Sequence, residues 1–137
     1  MNKLNTNSNL GVTLIKHYIK DLSFENLQSI KKNNSYNISE SSNFIYEPFE
    51  NEFFSVTFKY SCECLSKSDA KKLFLLELDY FGFFKIVGNV SVNQAELTKK
   101  GAKLIFPFVK SIIEDLSAKG GSIPLTLKDI DFNLVKV

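Results

Sequence analysis

The sequence is poor in several residues on which particular function classes depend. It has no tryptophan, one histidine, two cysteines and three prolines among 137 residues. Two cysteines are too few for a disulfide scaffold. No segment has the roughly 20 apolar residues of a membrane span, and the N-terminal residues carry no apolar run of signal-peptide length. We therefore expect a cytoplasmic protein that does not insert into a membrane.

Residues arranged for catalysis or metal binding are equally scarce. His17 lies within a predicted strand without a positioned partner, so an ordinary strand histidine is favoured over a catalytic one. Cys62 and Cys64 are two residues apart, a spacing that suits neither a relaxed disulfide nor a zinc site and favours buried, reduced thiols. Glycine-rich phosphate-binding motifs are missing. We expect no enzyme activity, no metal and no cofactor.

Strong charge of either sign is also missing. The 17 basic and 15 acidic residues leave a net charge of +2. The basic residues are scattered, apart from Lys99, Lys100 and Lys103, where a solvated helix face is the favoured interpretation. Nucleic acid is therefore not an expected partner.

Aromatic residues are abundant, and the clearest pattern runs through residues 73–88, LFLLELDYFGFFKIVG. Successive side chains of a strand point to opposite faces, so alternate positions share one face. The wholly apolar set, which we expect to face the core, is Phe74, Leu76, Leu78 and Tyr80. The other set mixes Leu75 with Glu77 and Asp79 and should face solvent or a partner. Gly82 predicts a bulge or bend in this strand.

Three other segments alternate in the same way. The first predicted strand covers residues 11–24. The apolar set, which we expect to face the core, is Val12, Leu14, Tyr18, Leu22 and Phe24. The mixed set on the opposite face is Thr13, Ile15, His17, Ile19, Asp21, Ser23 and Glu25. Residues 26–43 are predicted as a loop or crossover connection. Residues 42–49 form a weaker strand whose end or edge is marked by Pro48, and residues 53–65 form a stronger one. Short polar links between such strands predict an antiparallel sheet with one covered face.

The apolar period changes to three and four residues between residues 96 and 119, which predicts a helix ending at Lys119 and Gly120. Pro107 requires either a helix start near it or a kink. The apolar arc is wide enough to pack on the sheet and also on another helix, with one from a second subunit as an option. Asp129 or Asp131 could cap one short helix near the C-terminus. The expected fold is therefore α+β, with residues 1–10 as a flexible tail and residues 11–137 as one domain.

The mixed sheet face is the most informative surface. If the first and fourth strands are neighbours, the set on this face comprises Asp21, Glu25, Leu75 and Glu77. One interpretation is a solvated sheet face, since scattered exposed apolar residues are normal. The other is a docking patch for a basic partner.

Several segments, in their order and spacing, resemble the SecB family of protein-export chaperones. They are YIKDLSFEN (18–26), FLLEL followed by FGFFKIVG (74–88), LIFPFVKSII (104–113) and IDF (130–132). The resemblance implies a four-stranded antiparallel sheet with helices packed on one face, assembled as a homotetramer, a dimer of dimers. It also implies that the protein holds unfolded precursor proteins without ATP and passes them to the export motor SecA.

The resemblance further implies two sites. Asp21, Glu25, Leu75 and Glu77 match the motif positions of the family's SecA-docking surface. The family's client groove is apolar and aromatic, and its candidate residues here are Phe24, Phe44, Tyr46, Phe106 and Phe108. Two alternatives remain open: a SecB-like chaperone dedicated to one client such as an antitoxin, and a small α+β domain that binds an apolar small molecule between helix and sheet.

Overall fold

Four strands form one antiparallel sheet in the computed structural model, which describes residues 11–27, 35–69, 71–88, 93–120 and 125. The strands are β1 (Val12–Asn26), β2 (Tyr36–Pro48), β3 (Phe53–Ser66) and β4 (Lys72–Ile86). Their order in the sheet is β1-β4-β3-β2, and each neighbouring pair is antiparallel. The predicted sheet and the β1–β4 contact are confirmed. The predicted tail 1–10 and the predicted short C-terminal helix lie outside the described residues.

Strand β2 is longer than predicted. The prediction of a loop or crossover extending to residue 43 is wrong, because β2 already begins at Tyr36, which pairs with Ser66 of β3. Its first half is polar and exposed, and β2 is an edge strand whose backbone pairs on one side only. Because polar residues lie on both faces, this part of the strand shows no alternation of apolar and polar residues. Such residues also protect an open sheet edge from aggregation. The predicted strand end at Pro48 is confirmed.

Two irregularities in β1 change which side chains share a face. The pairing with β4 shifts between Leu14 and Lys16 and again between Ile19 and Asp21. Each shift inserts one residue and reverses the alternation between the two faces. Tyr18 therefore pairs with Phe81 on the face away from the helix, contrary to its predicted core position. Of the predicted bulge or bend at Gly82, the bulge is wrong as well, since the register of β4 is regular there and the bulges belong to β1.

One helix, α1 (Gln94–Lys119), covers the other face of the sheet. Asn93 caps its first turn by accepting a hydrogen bond from the Glu96 amide at 3.1 Å. The helix continues through Pro107, so the alternative of a helix start near this residue is wrong. Pro107 and Lys103 are both exposed, and water can bond to the Lys103 carbonyl that proline leaves without a helical donor. The predicted stop at Gly120 is confirmed by its cap bond to Leu116.

The helix lies close to the sheet because two glycines leave room for it. A Cβ at Gly82 of β4 would come within 2.7 Å of Ile105 Cγ2, and a Cβ at Gly101 of α1 within 2.8 Å of Val56 Cγ2. Around these contacts the apolar sets of β3 and β4 are buried, including Phe54, Phe58, Phe74 and Phe84 at 0% exposure. The sheet therefore has a core face under α1 and an outer face opposite to it.

Alkaline pH should weaken this core through Cys62 and Tyr60. Both cysteines are free and buried, as predicted. Burial raises the pKa of Cys62 to about 11 from 9.0, and burial together with the 2.5 Å hydrogen bond to Glu40 raises the pKa of Tyr60. Above about pH 9 the folded state therefore holds protons that the unfolded chain releases, so the free energy of unfolding should fall as the pH rises further.

Urea unfolding at a series of pH values checks this expectation. Between about pH 9 and pH 11 the wild type should lose stability more steeply than Cys62→Ala, which removes the titrating thiol. Equal slopes for the two proteins would contradict a contribution from Cys62.

Candidate functional site: the outer sheet face

The outer face of the sheet is divided into two halves of different chemistry. β4 contributes to both, because Leu75, Glu77 and Asp79 precede Phe81 and Phe83 along the same face. We call the first part the acidic half; its members are Asp21, Glu25, Glu63, Leu75, Glu77 and Asp79. We call the second part the aromatic half; its members are Tyr18, Phe49, Phe53, Phe81 and Phe83.

The sheet register brings the four predicted docking residues together in the acidic half. Glu25 of β1 pairs with Leu75 of β4, and Asp21 pairs with Asp79, four residues further along β4. Glu77 lies between them, flanked by Ser23 of β1 and Ser61 of β3. The second bulge in β1 is what returns Asp21 to this face after Tyr18.

Ion pairs distinguish the predicted residues from the other acids beside them. Lys59 binds Asp79 with an Nζ to Oδ2 distance of 2.7 Å, and Lys72 lies 3.3 Å from Glu63. Within the described segments, Asp21, Glu25 and Glu77 have no such cation. All three are exposed, and Leu75 beside Glu25 is half-buried. The acidic half thus presents three carboxylates that lack an ion pair within the described segments, on the same face as one apolar side chain.

The surface between these strands is concave. An open depression of about 590 Å³ is lined by Asp21, Glu77 and Asp79 together with residues of β2 and β3. A neighbouring depression of about 370 Å³ includes Glu63, Leu75 and Glu77. Ser41 and Ser61 line both and are hydrogen-bonded to each other at 2.8 Å. Carboxylates and hydroxyls in such a depression can accept hydrogen bonds from lysine or arginine side chains of a partner.

The aromatic half was not predicted. Tyr18 packs on Phe81 with a 5.0 Å centroid separation, and Phe83 contacts Phe53 and Phe49 at 5.1 and 5.4 Å. The signal available in the sequence was Lys16 and Lys20, which strict alternation would have placed on the core face of β1. Buried unpaired lysines are rare, so their positions indicated interrupted alternation.

The five groove candidates on the helix side divide by burial. Phe44 and Phe106 are only 7% and 5% exposed, and each packs on Phe58. Tyr46 is half-buried on Phe54, Phe24 is half-buried on Phe74, and Phe108 is 41% exposed. Of these five candidates, only Phe24, Tyr46 and Phe108 therefore offer aromatic surface to a bound chain.

His17 is a packed strand histidine in the structure. Its Nδ1 lies 2.5 Å from the Tyr80 hydroxyl, and its ring lies 4.2 Å from the Phe108 ring. Groups of three or more potential metal ligands among His, Cys, Asp and Glu are absent from the described segments. None of the described helices is long and apolar enough to cross a membrane. The features that stand out are an acidic half and an aromatic half on one accessible sheet face, a surface chemistry that suits contact with other protein chains.

Comparison with known proteins agrees with this class. The family model for preprotein translocase subunit SecB matches residues 5–135, and the chain belongs to the SecB family. The protein-export protein SecB of a Ruegeria species is 33% identical over 128 residues, covering 88% of this chain and 77% of the relative. The SecB of Orientia tsutsugamushi is 33% identical over 124 residues, covering 84% and 74%.

A solved structure shows the same fold. The SecB-like chaperone of Mycobacterium tuberculosis, in complex with a peptide from the HigA1 antitoxin, matches with a TM-score of 0.71. The match covers 90% of this chain and 98% of that one at 12% sequence identity. The SecB-like architecture predicted from the sequence is thereby confirmed.

Proposed function

We propose that this chain is an ATP-independent chaperone of the cytoplasm that holds unfolded precursor proteins and delivers them to the export motor SecA. Family membership supports the chaperone role. The observation that carries the delivery step is the set of three carboxylates, Asp21, Glu25 and Glu77, which have no ion pair among the described residues and share one sheet face with Leu75. Their charge suits a basic docking element of the motor. No catalytic step is part of the proposal.

Holding an unfolded chain requires apolar surface rather than a catalytic group. Burial of apolar area gains about 25 cal/mol per Å² whatever the client sequence, so exposed aromatic surface binds non-native segments with little sequence preference. The accessible rings of Phe24, Tyr46 and Phe108 supply part of this surface on the helix side. Folded proteins have already buried their extended apolar segments and are therefore poor ligands.

We further propose a homotetramer, arranged as a dimer of dimers. Strand β1 is an open sheet edge with exposed Ile15, Ile19 and Leu22. Helix α1 leaves Phe108 exposed and Leu104 and Ile112 only half-buried, in line with the predicted second contact of the helix. Edge pairing and helix packing between subunits would cover both surfaces. A tetramer also multiplies weak client contacts through effective concentration.

Suppression of aggregation tests the chaperone role. Diluting a chemically denatured protein into a molar excess of this chain, without nucleotide, should lower light scattering relative to an inert protein at equal mass, and adding ATP should change nothing. The light-scattering mass of the free protein should be four times the chain mass of 15.6 kDa. Unchanged aggregation at molar excess would contradict the chaperone proposal, and a single-chain mass would contradict the tetramer.

A further inference from the structure

We propose that the aromatic half of the outer face is a second client-binding surface, which takes an extended apolar segment flanked by acidic residues. The inference rests on the proposed chaperone function and adds a site to it. It concerns Tyr18, Phe49, Phe53, Phe81 and Phe83, none of which belongs to the predicted groove or to the acidic half.

The rings form one continuous and accessible surface. Phe83 is the central ring of the patch and has three ring neighbours. The centroids of Phe53, Phe49 and Phe81 lie 5.1, 5.4 and 6.5 Å from that of Phe83. Tyr18 and Phe49 at its two sides are 46% and 48% exposed, and the remaining three rings are half-buried. Solvent-exposed clusters of rings are uncommon on monomeric proteins and mark interaction surfaces.

Two lysines over the rings of β3 and β4 specify the chemistry of the occupant there, and Glu47 of β2, which pairs with Ser55 on the same face, lies at the other side of the patch. The ammonium of Lys16 lies 5.6 Å from the Phe83 ring centroid, and that of Lys85 lies 5.7 Å from the Phe53 centroid. Neither lysine has a carboxylate within ion-pair distance among the described residues. An apolar segment with acidic neighbours would cover the rings and pair with both lysines, whereas a basic segment would be repelled.

A buried hydroxyl beneath this surface provides a second observation. Ser55 pairs with Phe83 across β3 and β4 and is 0% exposed. Its Oγ is the buried side-chain polar atom of the described segments that has no hydrogen-bond partner. An unpaired buried hydroxyl is unfavourable, and a backbone carbonyl of a segment inserted between the rings would give it an acceptor.

The same charges argue against two other occupants. If the patch packed face to face against a second copy, the lysines of both copies would meet and repel each other. A basic element of the export motor fits the acidic half, but the lysines of the aromatic half would repel it. The extent of the patch along β4, from Phe81 to Lys85, matches an extended segment of about five residues at roughly 3.4 Å per residue.

Fluorescence anisotropy with two labelled peptides tests the proposal. Both peptides contain about five apolar residues, flanked in one by aspartates and in the other by lysines. The wild type should bind the aspartate-flanked peptide about ten-fold more tightly, and Tyr18→Thr with Phe81→Thr should weaken that binding about ten-fold. Lys16→Glu with Lys85→Glu should reverse the preference between the peptides. Asn37→Thr with Ser111→Thr, at exposed positions outside both halves, is the control and should bind like the wild type.

Circular dichroism melts confirm that each variant is folded before its affinity is compared. Unchanged peptide affinity in the folded Tyr18→Thr, Phe81→Thr protein would overturn the proposal. So would a loss of oligomer mass or of SecA affinity in that variant while peptide binding is retained. Failure of the wild type to suppress aggregation would instead reject the chaperone function itself, which the peptide measurement does not test.

Discussion

Replacing Phe106 by alanine should lower the free energy of unfolding by about 3–5 kcal/mol, because the substitution empties a filled position between helix and sheet. The ring is 5% exposed and meets Phe58 edge to face at 6.2 Å. Urea unfolding followed by circular dichroism measures the loss. A ring lining an open groove would cost much less, since water already contacts its surface and no cavity is created.

Phe49→Ala is the control for this measurement. Phe49 is also a phenylalanine with a ring neighbour, Phe83, but it is 48% exposed. Its replacement should cost about 1 kcal/mol, the value of an exposed aromatic contact. If Phe106→Ala proved no more costly than Phe49→Ala, the ring would not be part of the core and the groove interpretation of Phe106 would be favoured.

The Phe106 result also bears on how client-binding data should be interpreted. Phe44 and Phe106 contribute to the packing of the subunit, so their loss would weaken client binding by loosening the helix. Phe24, Tyr46 and Phe108 are accessible, and changes at these positions can affect a client directly. Replacing Phe44 or Phe106 should therefore lower both the free energy of unfolding and client affinity. Replacing Phe24, Tyr46 or Phe108 can lower client affinity without a matching loss of stability.

Prediction from the sequence succeeded where one physical pattern acts alone. β4 is a central strand with one buried face, so hydrophobic alternation from Phe74 to Tyr80 reports its orientation directly. The helix was equally visible, because its apolar positions must follow the helical period to reach the sheet. The positions of Asp21, Glu25, Leu75 and Glu77 on one face followed from alternation once β1 and β4 were neighbours.

Prediction failed where tertiary pairing overrides the local pattern. The bulges of β1 are set by its pairing with β4, and they moved Tyr18 to the outer face while leaving Asp21 where alternation had placed it. The polar start of β2 is held in the sheet by the backbone of β3 rather than by burial of its own side chains. The aromatic half depends on the bulges of β1 and on side chains from four different segments, so no single stretch of sequence contains it.

Reversing two charges on the acidic half should abolish docking to SecA without unfolding the protein. Asp21 and Glu77 are exposed and lack ion pairs within the described residues, so Asp21→Lys with Glu77→Lys breaks no interaction seen there. The new lysines would join Lys59 and Lys72 and turn the surface basic, which repels a basic partner. We expect a loss of SecA affinity of about 100-fold or more, since opposed like charges at an interface cost several kcal/mol.

Titration calorimetry with purified SecA measures this loss, and Glu47→Lys with Glu50→Lys is a control that changes net charge equally outside the acidic half. The control should bind SecA almost as well as the wild type, because exposed charges beyond about 10 Å are screened at ordinary salt concentration. Wild-type affinity should also decrease as salt increases. Client binding should survive the Asp21→Lys, Glu77→Lys change, because the accessible apolar rings are retained. SecA affinity that persists in the Asp21→Lys, Glu77→Lys variant would show that the motor docks elsewhere. A loss of SecA binding in both charge variants would show that net charge, rather than these two carboxylates, causes the effect.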